Sequence, residues 1–259
     1  MIVGSSMKIL AINQFFWPDT AATGQLLGDV AFGLEGSPHR VTIVCGASDY
    51  GSVNDTPPPP ATILRSSGTR FGRGRMGRVM SYFSFLVTAS SNSLRVERPD
   101  LVISMTTPPL TSVLGAIIQK LRGSRHYIWE MDLYPDIAVD LGVLGRQTLV
   151  TRAIGVLADW SRHRADGIIA IGEDMKARLV ARGIPAHKIH VAENWADGRE
   201  IVPLDFPSGP LVVHYSGNFG LAHDVETIGE AMRQLRGDPR FRFVFSGGGS
   251  RRVWLRDPT

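Results

Sequence analysis

The chain has 259 residues, 43% hydrophobic and 20% charged, the proportions of a soluble globular protein able to bury a core in one large or two modest domains. A single cysteine excludes an internal disulfide, and no apolar run reaches the roughly 20 residues of a membrane span. The net charge of +4 and a sequence pI of about 9.5 suit an anionic partner without choosing among nucleotide, lipid phosphate and nucleic acid.

Met1 to Ser6 lack the basic-then-apolar pattern of a signal peptide, so the expected start is Met7, beside the first strand. That strand is predicted at Lys8–Asn13. It runs through Gln14–Asp19 into a helix opening with Ala22, Thr23 and Gly24. No G-x-G-x-x-G follows it, so the usual dinucleotide fingerprint is absent. Thr23 and Gly24 either hold an anion or sugar hydroxyl or form an ordinary strand-to-helix turn. A second strand, Val41–Val44, is closed by Cys45, which reads as a buried small hydrophobe because no Lys, Arg or His adjoins it. Pro57–Pro60 mark a surface loop.

From Arg70 to Leu86 arginines alternate with aromatics. Three readings stand: a face for anionic lipid, a nucleic-acid surface, or a loop entering a half-buried helix. The next strand is Leu101–Ser104. Thr107 and Pro108 predict a helix start, and Gly123 its end. Tyr127–Trp129 is a strand ending in Glu130-Met131-Asp132. An acidic-x-acidic triplet there is either a metal-diphosphate site or a pair of cleft groups for ligand hydroxyls and helix capping. Thr148–Arg164 predicts a helix with Leu149, Ala153, Val156, Leu157 and Trp160 on its apolar face.

Strands follow at Gly167–Ile171 and Ile189–Val191, with a helix over Glu173–Arg182 stopped by Gly183 and Pro185. Ala196–Pro210, rich in proline and glycine, reads as a linker. Beyond it come strands Leu211–Tyr215 and Arg242–Ser246. Most of these runs are continuous rather than alternating, the pattern of parallel strands covered on both faces. Between the last two, Tyr215–Asp224 is a glycine turn running into a helix, which predicts a phosphate site built from backbone N–H groups and a helix N-terminus. Gly247-Gly248-Gly249 is a second such turn. Arg251 and Arg252 after it either add positive charge to the site or form a solvated face.

Taken in order, four segments resemble family 4 of the glycosyltransferases, retaining enzymes of the GT-B fold with two Rossmann-like domains. They are Lys8–Gly24, the Trp129–Asp136 stretch, Ile169–Met175 and Ile189–Asp197, with Tyr215–Asp224 fitting the start of the family's donor domain. The chain departs from the family pattern in places. Met131 stands where an inner-cleft histidine is common, and Asn218 and His223 stand where an arginine and a lysine usually meet the diphosphate. The family's acidic E-x7-E motif has no counterpart before Thr259.

The resemblance implies an α/β, GT-B-like chain. It has an N-terminal acceptor-side Rossmann-like domain over 1–195, a linker over 196–210 and the start of an incomplete nucleotide-sugar domain over 211–259. It implies transfer of a sugar from a nucleotide-sugar onto a saccharide acceptor, lipid-linked, in surface polysaccharide or glycolipid synthesis. The alternative is a non-catalytic truncated or split half needing a second polypeptide. Glu130 and Asp132 are the catalytic candidates. Gly217, Asn218, Phe219, Gly220, His223, Gly248 and Arg252 are the donor-binding candidates, and Thr23, Gly24 and Tyr134 the acceptor-binding ones. No metal or cofactor and no nucleic-acid partner is expected. A cytoplasmic location is, with docking on the inner face of an anionic membrane through Arg70–Arg78.

Overall fold

The computed structural model describes residues 6–47, 57–68, 75–196, 198, 201–203, 205, 208–220, 222–249 and 251, with only the backbone at 75. The chain divides into two compact units, Met1–Trp195 and Ala196–Thr259.

The first unit is built on a seven-stranded sheet. Its strands are β1 (Lys8–Ile12), β2 (Arg40–Cys45), β3 (Thr62–Arg65), β4 (Leu101–Met105), β5 (Arg125–Glu130), β6 (Gly167–Ala170) and β7 (Ile189–Val191). They lie in the order β3-β2-β1-β4-β5-β6-β7, and every pair is parallel. The chain works outward from β1 to one edge and then returns to β4 on its other side. The strand order therefore reverses between β1 and β4, the place where open parallel sheets bind ligands. The α/β expectation holds. β3 is an addition: Thr62–Arg65 is short and half-exposed, and among the described residues it pairs with β2 alone, so it lacks the long apolar run that marks the others.

Helices α1 (Ala22–Gly33), α2 (Arg75–Arg95), α3 (Thr111–Arg122), α4 (Asp136–Asp140), α5 (Leu149–Arg164) and α6 (Glu173–Ala181) join the strands. One sheet face packs Ala11, Ile43, Met105 and Trp129 against Leu26, Leu27 and Ala31 of α1. The other packs Leu10, Ile12, Val44 and Val102 against Phe85 and Ala89 of α2 and Leu114 and Ile118 of α3. A third cluster joins Ile128, Ile168 and Ile189 to Leu179 of α6. Trp195 lies on Trp129, with ring centroids 5.8 Å apart and planes 24° apart, and donates to Asp29 of α1 at 2.9 Å.

Two expectations about helices need correction. α3 begins at Thr111 rather than at Thr107, because the Thr107 carbonyl accepts from Gln14 N at 2.8 Å and is held beside the end of β1. Its end at Gly123 is as read, with φ 64° and the Gly123 N–H on the Gln119 carbonyl. α5 forms over the expected residues with Thr148 as N-cap, but it faces the other way. Its buried residues are Thr151, Ala158, Ser161 and Arg162, while Leu149, Val156, Leu157 and Trp160 point to solvent. Small side chains let α5 approach α3 closely, where Ser161 and Ser112 hydroxyls meet at 2.8 Å.

The second unit contains β8 (Leu211–Ser216), α7 (Val225–Gln234) and β9 (Phe241–Ser246). β8 and β9 pair in parallel from Leu211–Phe241 to Ser216–Ser246. Phe219 and Val225 form its core with Tyr215, Ile228, Met232 and Phe245. Leu211, Val212 and Val213 of β8 are exposed.

Candidate functional site

In the first unit the strand order reverses between β1 and β4, and polar groups converge on the carboxyl ends of β1, β4 and β5. Asn13 and Gln14, directly after β1, are both buried. Asn13 Nδ2 donates to the Phe15 carbonyl at 2.6 Å and to Thr23 Oγ1 at 3.2 Å. Gln14 Nε2 donates to Ser81 Oγ on α2 at 3.0 Å. The two amide oxygens, Asn13 Oδ1 and Gln14 Oε1, are buried acceptors with no hydrogen-bond donor. Such an orphan costs about 1–3 kcal/mol, so this end of β1 carries unspent capacity to bind a hydroxyl or amine.

The acidic candidates at the end of β5 separate sharply. Glu130 is buried, and both its oxygens accept from Arg162 of α5, at 3.1 Å from Nε and 2.7 Å from Nη2. Burial works to raise its pKa and the guanidinium opposes this; the two-pronged geometry is that of an ionised pair. Arg162 also donates to Asp159 at 2.9 Å and to the Tyr134 carbonyl at 3.2 Å. Asp159 in turn binds Arg182, which reaches Asp136. Glu130 is thus the inner end of a charged network that pins the turn after β5, buried with both oxygens on Arg162.

Asp132 is the opposite case. It is half-buried, its carboxylate makes no hydrogen bond or ion pair among the described residues, and burial raises its pKa. Its backbone N–H, like that of Met131, donates to Thr106 Oγ1 at 3.3 Å, which fixes the turn against the end of β4. Tyr134 stands close by. Its hydroxyl pKa is raised first by burial and then by the Asp132 charge and Tyr82 of α2. These strand ends therefore gather a carboxylate, a phenol and two amide oxygens, the carboxylate and the amide oxygens without partners among the described residues. Among the described residues no three His, Cys, Asp or Glu side chains come together as metal ligands, and Arg162 already occupies the triplet's first carboxylate.

Thr23 is half-buried at the first turn of α1 and accepts from Asn13. Gly24 faces the backbone. A Cβ there would lie 3.0 Å from the Phe15 carbonyl oxygen and 3.1 Å from Phe16 Cα, so it serves close packing of α1 on the β1 loop.

In the second unit the two glycine turns interlock. Gly217 N donates to the Ser246 carbonyl at 2.9 Å, Phe219 N to the Gly248 carbonyl at 2.8 Å, and Gly220 N to the Asn218 carbonyl at 2.8 Å. A Cβ on Gly247 would collide with the Gly217 carbonyl, and one on Gly249 with the Phe219 carbonyl; both glycines have positive φ, 123° and 116°. Gly248 and Gly220 face open space.

His223 closes the turn from inside. Its Nδ1 accepts from Gly220 N at 3.1 Å, so Nε2 carries the proton it shares with Tyr215 Oη at 2.6 Å. Phe219 is 1% exposed, and its ring lies 4.3 Å from that of Tyr215 with the planes tilted by 38°. Asp224 caps α7 through Thr227 N at 3.0 Å and places a negative charge at the helix N-terminus that the sequence offered as positive. Arg251 is tied to this turn by its N–H on the Phe219 carbonyl and its Nη1 on the His223 carbonyl at 2.9 Å. Arg252 lies outside the described residues, as do Arg70 to Gly74.

Sequence reading missed Asn13, Gln14, Ser81, Thr106 and Arg162. Two polar residues directly after the first strand were the available signal. The others come from 25 to 67 positions away.

The sequence model of the glycosyl transferase 4-like domain matches residues 23–195. The probable glycosyltransferase WbjE of Pseudomonas aeruginosa is 25% identical over 215 residues, 77% of this chain and 53% of WbjE. The putative colanic acid biosynthesis glycosyl transferase WcaI of Escherichia coli K12 is 23% identical over 283 aligned positions, 95% of this chain and 68% of WcaI. Among solved structures, Anabaena HepE in complex with UDP and glucose superposes with a TM-score of 0.63 at 15% identity, over 96% of this chain and 64% of HepE. The likeness to HepE is one of fold, in line with the GT-B-like expectation. The chain spans about half the length of WbjE.

Proposed function

Because the chain belongs to the glycosyl transferase 4-like family, we propose that it supplies the acceptor side, and the opening of the donor side, of a transferase moving a sugar from a nucleotide-sugar to a saccharide acceptor. The carrying observation is the polar cluster at the ends of β1, β4 and β5, where among the described residues Asp132 is unpaired and Asn13 Oδ1 and Gln14 Oε1 lack donors. Sugar hydroxyls are the donors such acceptors take. A carboxylate whose pKa is raised by burial also suits a group that draws on a hydroxyl proton while the hydroxyl attacks. In this reading Asp132 holds the reacting acceptor hydroxyl, and Thr23, Tyr134 and the two amides hold its neighbours. Glu130 and Arg162 keep the turn in place. No cofactor takes part.

We further propose that the acceptor belongs to a surface polysaccharide and is lipid-linked, met at the inner face of an anionic membrane through Arg70–Arg78. The relatives' names support the first part: WcaI is described as a colanic acid biosynthesis glycosyl transferase. The HepE structure is a complex with UDP and glucose; in the second unit here Gly220 and Gly248 face open space, which supports a donor role in which they and Asn218 approach the diphosphate of a nucleotide-sugar. Three of its turn amides are already bonded, and Asp224 caps the helix. Residues beyond the described ones, or a second polypeptide, would then have to neutralise the leaving group. The acceptor side is tested by saturation-transfer NMR of the chain with oligosaccharide fragments. Binding by the unaltered chain and its loss in Asp132→Asn is expected; equal binding by both would overturn the reading.

A further inference from the structure

The amino end of the first unit's sheet, opposite the strand ends described above, carries a cavity of its own. It lies between the first residues of β1, β2 and β3 and the chain leaving α2, an open hollow of about 410 Å³. Cavities of roughly 300–1,000 Å³ hold small ligands. Lys8 stands opposite Arg40, and Thr42 opposite Thr62, across the parallel strands. Leu10, Ile12, Val44 and Leu64 of the same strands pack with α2, so the two-residue alternation sets Lys8, Arg40, Thr42 and Thr62 on that same face. Val96, just past α2, supplies an apolar wall.

The polar lining is almost all donors. The Arg40 guanidinium is exposed and makes no hydrogen bond or ion pair among the described residues. His39 Nδ1 accepts from Met7 N at 3.3 Å, so Nε2 carries the proton, and it donates to nothing among the described residues. The Thr42 and Thr62 hydroxyls are likewise without partners there. Lys8 Nζ holds Oε1 of Glu97, the one carboxylate among the described lining residues. Their side chains are 34% and 64% exposed, and so open a pair gives way readily to a competing anion. Glu97 Oε2 is left to accept.

Two fixed cations, an imidazole N–H and two hydroxyls around one carboxylate suit an anion that itself bears hydroxyls. The hollow is larger than a bare phosphate fills. Among the described residues no Phe, Tyr or Trp lines it, so a nucleobase would find no ring to stack on. We propose that this cavity is a second small-molecule site that takes a sugar phosphate. The phosphate sits on Arg40, His39 and Lys8, and the sugar hydroxyls lie between Thr42, Thr62 and Glu97. The length of β1 separates it from the cluster around Asp132, and it does not depend on the reading of that cluster.

The test is NMR of the uniformly 15N-labelled whole chain titrated with glucose 6-phosphate, inorganic phosphate and glucose. The amides of Arg40, Thr42 and Thr62 should shift with glucose 6-phosphate, respond about tenfold more weakly to phosphate, and stay in place with glucose. Arg40→Gln, at an exposed position, should keep the circular dichroism spectrum and weaken glucose 6-phosphate about tenfold. Thr42→Val combined with Thr62→Val should bring the affinity for glucose 6-phosphate down to that for phosphate. Asp132→Asn should leave this binding unchanged, so failure here and failure of the acceptor reading show separately. Any of four results would overturn the proposal: no shift at these amides, equal affinity for glucose 6-phosphate and phosphate, full binding by Arg40→Gln, or loss of binding in Asp132→Asn.

Discussion

Removing one partner of the Glu130–Arg162 pair separates a structural carboxylate from a catalytic one. Both side chains are 3% exposed, and the guanidinium meets both carboxylate oxygens. In Arg162→Met, Asp159 keeps Arg182 at 3.0 Å, so the charge left buried without a partner is that of Glu130. The Tyr134 carbonyl also loses a donor. Orphaning one member of a buried pair costs about 3–5 kcal/mol, whereas replacing both with apolar residues is close to neutral. Arg162→Met should therefore unfold at much lower urea than the unaltered chain, and Glu130→Leu with Arg162→Met should recover most of the loss.

The pH dependence follows. In Arg162→Met the lone Glu130 has a folded pKa raised above its unfolded value. Its neutral form is tolerated at low pH, and stability falls as pH rises through the raised value. The deficit of the single variant should thus shrink toward acid. Urea titrations followed by tryptophan fluorescence measure this, since Trp17, Trp129, Trp160 and Trp195 all lie in the first unit. A single variant within 1 kcal/mol of the unaltered chain, or a double variant no more stable than the single, would refute the reasoning.

Three further outcomes are expected. His126, buried on β5 with Nε2 on Ser104 Oγ at 2.7 Å, has its pKa lowered to about 4 by burial. The stability this neutral ring allows is complete above the unfolded value near 6.5 and is lost as pH falls toward 4, by up to about 3 kcal/mol; His126→Gln should flatten that part of the stability–pH curve. Cys45 is fully buried and its thiol is pushed up to about 11, so it should resist alkylation by iodoacetamide at pH 8 until urea unfolds the chain. Gly247→Ala forces a methyl into the Gly217 carbonyl at a positive φ, so it should lower protection of the β8 and β9 amides from hydrogen exchange while leaving the first unit's unchanged.

The apolar runs alone located every strand of the described residues except β3, and in the first unit their continuity told of a parallel sheet covered on both faces; β8, just as continuous, is exposed. Thr62–Arg65 escaped because an edge strand with one neighbour needs no long apolar run. The carboxyl-end turns were legible as places: Thr23 and Gly24 after β1, Glu130 to Tyr134 after β5, and the glycine turns after β8 and β9. What each residue does there was not. Glu130 is the last residue of β5 and meets Arg162 of α5, whereas Asp132 lies two positions on, in the turn where strand alternation no longer sets direction, and is unpaired among the described residues. His223, a donor-binding candidate standing where the family usually has a lysine, braces its own turn. Trp160 and Val156 looked like core and face outward, because Ala158 and Ser161 let α5 lie close to α3 and bring Arg162 to Glu130. Sequence pattern records how a residue prefers to sit within its own strand or helix, since that depends on neighbours a few positions away. Which face is buried and which charge finds a partner depends on contacts formed across 25 or more residues, and only the assembled sheet and its helices bring those groups within hydrogen-bonding distance.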